Sequence, residues 1–274
     1  MTNRWQAAWH RVRAALPAPV GRWLSAGVQR ALSAATRAYR GWPGYRRFHE
    51  RRVRELAGQV IRRSGRQDQF YEGYVKAQLD DSLHFIHGQV LGPRVMDRTI
   101  YLAGLLDRVL PAERGGLRMV CIGCRNGQEL DYLQERCGIR RLDGLDLQSA
   151  DPRIRVGDMH HLPFLDDAYD ILYACHSLEH AYDLDRALLE CFRVTKSGGL
   201  VVIEMPVNYP VDETDRWDVG STGQLLAHLG GFGGEPLVAE DDGQNARTIF
   251  RLRKPGALAA TAAGAPFIGA PQSR

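Results

Sequence analysis

The chain of 274 residues contains no uninterrupted apolar run of about 18 residues, the length that a membrane-spanning helix requires. Its five cysteines do not have the spacing of a disulfide framework, which indicates a reducing compartment. Acidic residues are missing from positions 1–40. The remaining composition, 44% hydrophobic and 25% charged, is typical of a soluble globular protein that buries one sizeable core and carries an appendage.

Charge is distributed unevenly along the chain. Residues 1–66 contain 15 arginines but only Glu50 and Glu55 as acids, a net charge of +13. The rest of the chain holds 21 basic and 30 acidic residues, a net charge of −9. A basic arm on an acidic body predicts a polyanionic partner or surface.

Two apolar stripes with helical spacing run through residues 1–40. Their members, separated by Pro17 and Pro19, are Trp5, Trp9, Val12, Leu16, Val20, Trp23, Leu24, Val28, Leu32 and Ala35. Basic amphipathic helices that carry tryptophan lie readily on anionic membranes. We therefore expect residues 1–66 to form an arm that holds a cytoplasmic protein at the inner membrane face. Packing of the stripes on the body, RNA binding or a transit peptide are the alternatives.

Residues 117–133 form the segment around which the rest of the chain is arranged. The apolar residues 119–122 predict a buried strand, and residues 123–127, Gly-Cys-Arg-Asn-Gly, predict a turn. Leu130 and Leu133 are three apart, as on the inner face of a helix. A strand, a glycine turn and a helix form the entry unit of a nucleotide-binding α/β sheet, in which the ligand meets the helix N-terminus.

Further strands follow in the order that such a sheet requires. Asp146 closes a second predicted strand 19 residues after Gly127, an offset that suits hydrogen bonds from ribose hydroxyls. A short third strand breaks into a loop at Asp158. Apolar strands are predicted at residues 169–174 and, after a Ser-Gly-Gly turn, at residues 200–204.

Taken in order, these five motifs resemble those of the class I S-adenosylmethionine-dependent methyltransferases, especially the type 11 branch that acts on small molecules and lipids. The resemblance is close over residues 117–206 and weak from there to about residue 254. It implies an α/β fold, a Rossmann-like doubly wound and mostly parallel seven-stranded sheet. We expect three regions: the arm, a methyltransferase domain over residues 67–254 with leading helices that help to cover the cofactor, and an Ala/Gly/Pro-rich disordered tail, residues 255–274.

The resemblance implies S-adenosylmethionine as the cofactor and a set of residues that bind it. These are Gly123, Cys124, Arg125, Gly127, Asp146, Leu147, Asp158 and Met159. The glycine turn and the helix dipole would receive the methionine carboxylate. Asp146 would hold the ribose and Asp158 the adenine amino group. Leu147 and Met159 would pack on the adenine ring. Taken singly, each aspartate could equally be a turn or cap residue.

Two positions depart from the family pattern. The family usually has an acid at the position of Cys121 and a glycine at that of Arg125. Arg125 could adopt the backbone conformation of the missing glycine, could pair with the methionine carboxylate, or could simply face solvent. Cys121 and Cys124 could form a redox or metal pair, but two ordinary small residues are the favoured interpretation.

Histidines after the fourth predicted strand are the candidates for catalysis. Methyl transfer from a sulfonium requires mainly positioning, and a base helps if the acceptor is a hydroxyl or an amine. His176 is the first candidate base and His180 the second, with a structural helix-start role as the alternative for His180. The segment after the fifth strand, with Asn208, Tyr209 and Trp217, is expected to line the acceptor site.

No metal site is predicted from the sequence. His84 and His87 are three apart on a predicted helix and could meet on one face. A metal site needs a matched third ligand, which the local sequence does not supply, so both are expected to be surface or packing residues.

Three functions remain open at this point. The first is an enzyme that methylates a small-molecule, lipid or glycan-intermediate acceptor. Such an enzyme would act in solution or at a membrane surface. The second is a nucleic-acid methyltransferase guided by the basic arm, although the chain has neither the D/N-P-P-Y/F tetrapeptide nor the Pro-Cys nucleophile of those enzymes. The third is a catalytically silent cofactor-binding module, which the departures at Cys121 and Arg125 would explain.

Overall fold

The computed structural model describes residues 41–88, 95–125 and 127–254. The apolar stripes within residues 1–40 and the tail from residue 255 onward lie outside the described residues. The helices and strands are α1 Pro43–Ser64, α2 Gln69–Gly88, α3 Asp97–Val109, β1 Arg118–Ile122, α4 Gly127–Cys137, β2 Arg141–Asp146, β3 Ile154–Val156, β4 Tyr169–Cys175, α5 Leu184–Val194, β5 Thr195–Pro206, α6 Thr222–Gly230, β6 Gly234–Asp241 and β7 Asn245–Leu252.

The seven strands form one sheet in the order β3-β2-β1-β4-β5-β7-β6. Strands β1 to β5 pair in parallel, whereas β7 runs antiparallel to both of its neighbours. This arrangement confirms the predicted Rossmann-like, mostly parallel seven-stranded sheet.

Helices cover both faces of the sheet, which explains why its central strands are apolar at nearly every position. Successive side chains of a strand point to opposite faces, so Val120 and Ile122 pack with α5 and α6. Met119 and Cys121 point the other way and pack with α3 and α4. The two layers of apolar side chains form the core and fix the position of each strand end.

Helices α1 and α2 form a hairpin in front of the sheet. Pro43 opens α1, where a missing N–H costs nothing, and Gly65 ends it with a left-handed φ of 69°. The apolar side chains between the two helices are Val53, Leu56, Ala57, Val60, Tyr71, Tyr74, Val75, Leu79 and Leu83. The described part of the predicted basic arm therefore packs on α2 through one apolar face, while most of its arginines are exposed.

The strand order reverses between β1 and β4. Strands β2 and β3 lie on one side of β1, whereas β4 and β5 lie on the other side. Ligands of such sheets bind outside the carboxyl ends of the strands at this switch point. The glycine turn after β1 lies there, next to the loops that follow β2 and β4. Within the described residues, no helix has the length and apolar character needed to cross a membrane.

Candidate active site

A cleft at the switch point collects most of the residues predicted for cofactor binding and catalysis. It measures about 590 Å³, counting the part open to solvent. Eight of the ten predicted residues line it: Gly123, Arg125, Asp146, Leu147, Asp158, Met159, His176 and His180. Because they come from the ends of β1, β2, β3 and β4, their meeting depends on the parallel register of those strands.

Gly123 allows the turn after β1 to approach the loop after β4. Its φ is 73°, in the left-handed region, and a Cβ atom there would lie 2.4 Å from Cβ of Ser177. Arg125 also has a left-handed φ, 47°. The prediction that Arg125 adopts a glycine-like backbone conformation is thus confirmed, and its backbone N–H is turned towards Asp146 Oδ2, 2.8 Å away.

Two predicted residues do not line the cleft. Cys124 is fully buried below the turn, with Sγ 3.9 Å from the carbonyl oxygen of Leu145, so it could meet a cofactor only through its backbone. Gly127 begins α4, and a Cβ atom there would lie 1.9 Å from Asp151 Oδ2. This contact supplies a packing reason for glycine at position 127, apart from any ligand.

Cys121 and Cys124 are two ordinary buried residues, as expected. A hydrogen bond from Cys124 raises the pKa of the Cys121 thiol well above its usual value, and burial raises that of Cys124. Both thiols are free and buried. Thiols held in the neutral form are poor nucleophiles and poor metal ligands.

Asp146 presents a carboxylate to the cleft at the end of β2. It is only 9% exposed, and burial raises its pKa above the ordinary value. Two backbone N–H groups compensate the charge: Arg125 donates to Oδ2 at 2.8 Å and Gln148 donates to Oδ1 at 3.2 Å. Each carboxylate oxygen accepts up to two hydrogen bonds, so capacity remains for two ligand hydroxyls.

Asp158 is engaged by protein groups on both oxygens. Tyr71 Oη donates to Oδ2 at 2.7 Å, while the backbone N–H and the ring Nδ1 of His160 lie 2.9 Å and 2.5 Å from Oδ1. Burial alone would raise the pKa of Asp158, but these bonds hold it below its ordinary value. Asp158 therefore ties α2 to the loop after β3, and an adenine amino group would be a fourth donor to it.

His176 lies between two buried carboxylates. Its Nδ1 is 3.3 Å from Glu179 Oε1, and its Nε2 is 3.2 Å from Glu204 Oε1 and 2.9 Å from Asn245 Oδ1. Burial alone would lower the pKa of His176, but hydrogen bonds with Glu179 and Glu204 raise it above its ordinary value. Because acceptor groups face both ring nitrogens, a substrate would have to displace one of them to exchange a proton with His176.

Two acceptor groups face Nδ1 of His180. Nδ1 lies 3.0 Å from the carbonyl oxygen of Thr214 and 3.2 Å from Asp215 Oδ1. A carbonyl oxygen can only accept, so Nδ1 carries the hydrogen and Nε2 is the nitrogen that exchanges a proton. Burial alone would lower the pKa of His180, but the hydrogen bond with Asp215 raises it to about 9.

Several residues of the site were not predicted. Tyr74 and Gln78 line the cleft from α2, where they are one helical turn apart. The expectation that leading helices cover the cofactor pointed to this wall but not to its residues. Glu204 and Asp215 were not predicted either, because their partners His176 and His180 are distant in sequence.

The segment after β5 meets the expectation only in part. Asp215 and Thr214 reach His180, as described above. Trp217 instead packs against the core and donates from Nε1 to the carbonyl oxygen of Ala181 at 2.7 Å. Tyr209 is 51% exposed, and like Asn208 it lies outside the lining of the cleft.

Sequence comparison identifies the central part of this sheet. Residues 120–203, from β1 into β5, match a family model described as a methyltransferase domain. Over residues 120–203 the chain is therefore similar to the methyltransferase domain family, whose members are enzymes that use S-adenosylmethionine.

Three curated proteins illustrate the similarity of the methyltransferase domain. It is 33% identical over 103 residues to malonyl-[acyl-carrier protein] O-methyltransferase 1 of Coxiella burnetii, covering 36% of each chain. It is 38% identical over 81 residues to demethylmenaquinone methyltransferase of Thermobifida fusca, covering 30% of this chain and 34% of that protein. For 27-O-demethylrifamycin SV methyltransferase of Amycolatopsis mediterranei, identity is 26% over 195 residues, 61% of this chain and 71% of that protein.

The matched part of the chain spans about a third of the length of each of the first two relatives. The similarity therefore describes the sheet and the cofactor end of the cleft. The hairpin of α1 and α2 precedes the residues matched by the family model.

The cleft of the methyltransferase domain fits S-adenosylmethionine by the chemistry of its lining. The Asp146 carboxylate has acceptor capacity for ribose hydroxyls, and Leu147 and Met159 offer apolar surface for the adenine ring. Arg125, two residues before α4, also lines the cleft, and its guanidinium suits a carboxylate. The ribose hydroxyls, the adenine ring and the amino-acid end of S-adenosylmethionine match these lining groups.

Proposed function

We propose that the chain binds S-adenosylmethionine in the switch-point cleft and transfers its methyl group to a small-molecule, lipid or glycan-intermediate acceptor. The observation that carries the proposal is the Asp146 carboxylate, buried at the carboxyl end of β2 and facing the same cleft as the turn at Gly123. The names of the three relatives state small acceptors or a carrier-bound acyl group, which supports an acceptor of this class.

The bound cofactor would supply an activated methyl group on a sulfonium. The protein then needs to hold the acceptor in line with that group and to exclude water, and both are tasks of positioning. Gly123, Cys124 and Arg125 would receive the methionine end and Asp146 the ribose. Leu147 and Met159 would enclose the adenine ring next to Asp158.

His180 is the better-placed candidate for a general base in this proposal, because acceptor groups face both ring nitrogens of His176. The Nδ1–H of His180 is fixed by Thr214 and Asp215, so Nε2 can exchange a proton with the acceptor while the ring keeps its orientation. Burial would lower the pKa of His180, but the hydrogen bond with Asp215 raises it to about 9, so the deprotonated fraction, and with it the rate of transfer, should rise as the pH approaches 9. His176, the first choice from the sequence, lies between Glu179 and Glu204, and Arg247 also pairs with Glu204.

Calorimetric titration of the full-length protein with S-adenosylmethionine and S-adenosylhomocysteine tests cofactor binding. Asp146→Ala should weaken S-adenosylmethionine by about 1–3 kcal/mol, because ribose hydroxyls would lose a buried partner. Asp146→Asn keeps one acceptor and should lose less. Asp143→Ala, on the same strand but bonded to Tyr169, is the matched control and should bind normally.

Unchanged affinity in a folded Asp146→Ala protein would contradict the assignment of the ribose site. Transfer is tested separately, with methyl-labelled donor and a small-molecule and lipid extract of cells. Binding without any labelled product across such extracts would favour a silent cofactor-binding module.

A further inference from the structure

The open end of the α1–α2 hairpin brings two imidazoles and a carboxylate together. His49 comes from α1, whereas Asp80 and His84 lie one turn apart on α2. His49 Nε2 is 2.9 Å from Asp80 Oδ1. His84 Nδ1 is 3.3 Å from Asp80 Oδ2 and 2.9 Å from the carbonyl oxygen of Asp80, so Nδ1 carries the hydrogen and Nε2 is the nitrogen that would coordinate an ion. The two imidazole rings are 3.9 Å apart between centroids.

These separations suit a metal ion. Zinc binds imidazole nitrogen and carboxylate oxygen at roughly 2.0–2.2 Å, so neighbouring ligands of a tetrahedral ion lie about 3.3 Å from each other. One ligand atom from each of the three residues can be chosen so that all lie within 4.8 Å of one another. Rotation of the Asp80 and His84 side chains would bring the three ligand atoms from these separations to those of a bound ion.

The surroundings of the cluster favour a cation. His49 is buried, and its Nδ1 lies 3.3 Å from Tyr45 Oη, a contact that can orient the ring from behind. Asp80 and His84 border a cavity whose other charged lining residues are Lys76, Asp81 and Glu213. Three carboxylates against one ammonium give this cavity a negative potential and a route for a hydrated ion.

We propose that His49, Asp80 and His84 form a binding site for a divalent transition-metal ion, Zn²⁺ in the first place, with water from the cavity completing its coordination. Two imidazoles and one carboxylate are borderline ligands that favour zinc over magnesium or calcium. The site lies on a different face of α2 from Tyr74 and Gln78. A bound ion would therefore fix α1 against the helix that forms one wall of the cofactor cleft.

A second group of potential ligands, Glu179, His180 and Asp215, lies at the cofactor cleft. It is the weaker candidate, because His176 already lies 3.3 Å from Glu179 there. Experiments on the hairpin site must still distinguish the two groups.

The test uses the untagged full-length protein, freed of metal and titrated with ZnCl₂ by calorimetry. One Zn²⁺ per chain is expected, together with a higher melting temperature. His84→Ala and Asp80→Asn should each weaken binding by about tenfold or more, since each removes a ligand. His161→Ala, which removes another exposed histidine, should bind like the wild type. Co²⁺ added in place of zinc should give visible absorption bands that His84→Ala and Asp80→Asn remove.

His49→Ala removes a buried side chain and can disturb folding, so the surface substitution Asp80→Asn decides the matter. Absence of zinc binding in the folded wild-type protein would overturn the proposal. Binding that survives Asp80→Asn and His84→Ala but disappears in Asp215→Asn would also overturn it and would move the metal to the cofactor cleft. Neither readout depends on methyl transfer, so the metal site and the proposed function can fail independently.

Discussion

Arg125 shows how a departure from the family pattern is accommodated at a single residue. Its φ of 47° places a bulky side chain in the left-handed region, at a cost of about 1–3 kcal/mol. Glycine relieves that strain but adds about 0.4–1 kcal/mol of chain entropy to the unfolded state. We expect Arg125→Gly to leave the melting temperature unchanged or raise it by a few degrees, as measured by thermal denaturation.

Arg125→Ala is the control for this prediction, because it removes the guanidinium and retains the strain. It should show no stabilisation. If both variants also lose affinity for S-adenosylmethionine, the guanidinium pairs with the cofactor. A glycine variant that melts well below the wild type would show that the side chain stabilises the turn more than the strain costs.

Glu129 on α4 makes folding stability depend on pH. Burial raises its pKa from 4.5 to about 7, and Thr99 Oγ1 donates a hydrogen bond to it at 3.0 Å. The folded state thus binds this proton more tightly than the unfolded chain does. Its contribution to the free energy of unfolding is complete below pH 4.5 and is lost as the pH rises through about 7.

Glu129→Gln is neutral at every pH and should remove this loss. At about 1.36 kcal/mol per pKa unit, the variant should gain up to about 3 kcal/mol relative to wild type between pH 5 and pH 8. Urea denaturation at the two pH values measures the difference, and Glu135→Gln, exposed on the same helix, is the control. Parallel pH dependence of wild type and Glu129→Gln would refute the assignment.

At the scale of elements, α2 is joined to the loop after β3 through a buried hydrogen bond as well as through apolar contacts. Tyr71 Oη donates to Asp158 Oδ2 at 2.7 Å, and both residues are buried. Tyr71→Phe would leave that oxygen without its donor, which should lower the free energy of unfolding by about 1–3 kcal/mol in urea denaturation.

Tyr74→Phe is the matched control, because Tyr74 belongs to the same apolar cluster and the substitution leaves the bond to Asp158 intact. Equal stability losses in the two variants would mean that general packing, not the hydrogen bond, fixes α2. A loss confined to Tyr71→Phe would show that Asp158 acts first as the anchor of this helix.

At the scale of the whole molecule, the basic arm is predicted to hold a methyltransferase at the inner membrane face. Residues 1–40 contain three tryptophans and no acid, and basic residues near an anionic leaflet contribute on the order of 1 kcal/mol each. Deleting residues 1–40 should abolish sedimentation with anionic vesicles. It should leave cofactor binding intact, because α1 packs on α2 through residues beyond the deletion.

Full-length protein that does not sediment with such vesicles at low salt would end the membrane hypothesis. Unfolding of the shortened protein would instead identify residues 1–40 as part of the packed body. Binding to RNA in place of vesicles would favour the nucleic-acid alternative. Neutral vesicles serve as the control for the electrostatic part of the interaction.

The sequence by itself determined the sheet and the cofactor end of the cleft. Strands show as short apolar runs, and the turn after β1 shows in its glycines, because backbone conformation is governed by neighbouring residues. The offset of Asp146 from Gly127 follows from the length of α4 and the return to β2. Parallel register then brings these residues to one edge, and this is why eight of the ten predicted residues line the cleft.

Only the tertiary structure decided the electrostatics and the metal candidate. Glu204, 28 residues away from His176 in sequence, lies beside its ring. His84 was considered with His87 on one helix, whereas its partners in the structure are Asp80 and His49, the latter from another helix. Charge and coordination depend on distances between side chains that only packing fixes, and no local pattern in the sequence records them.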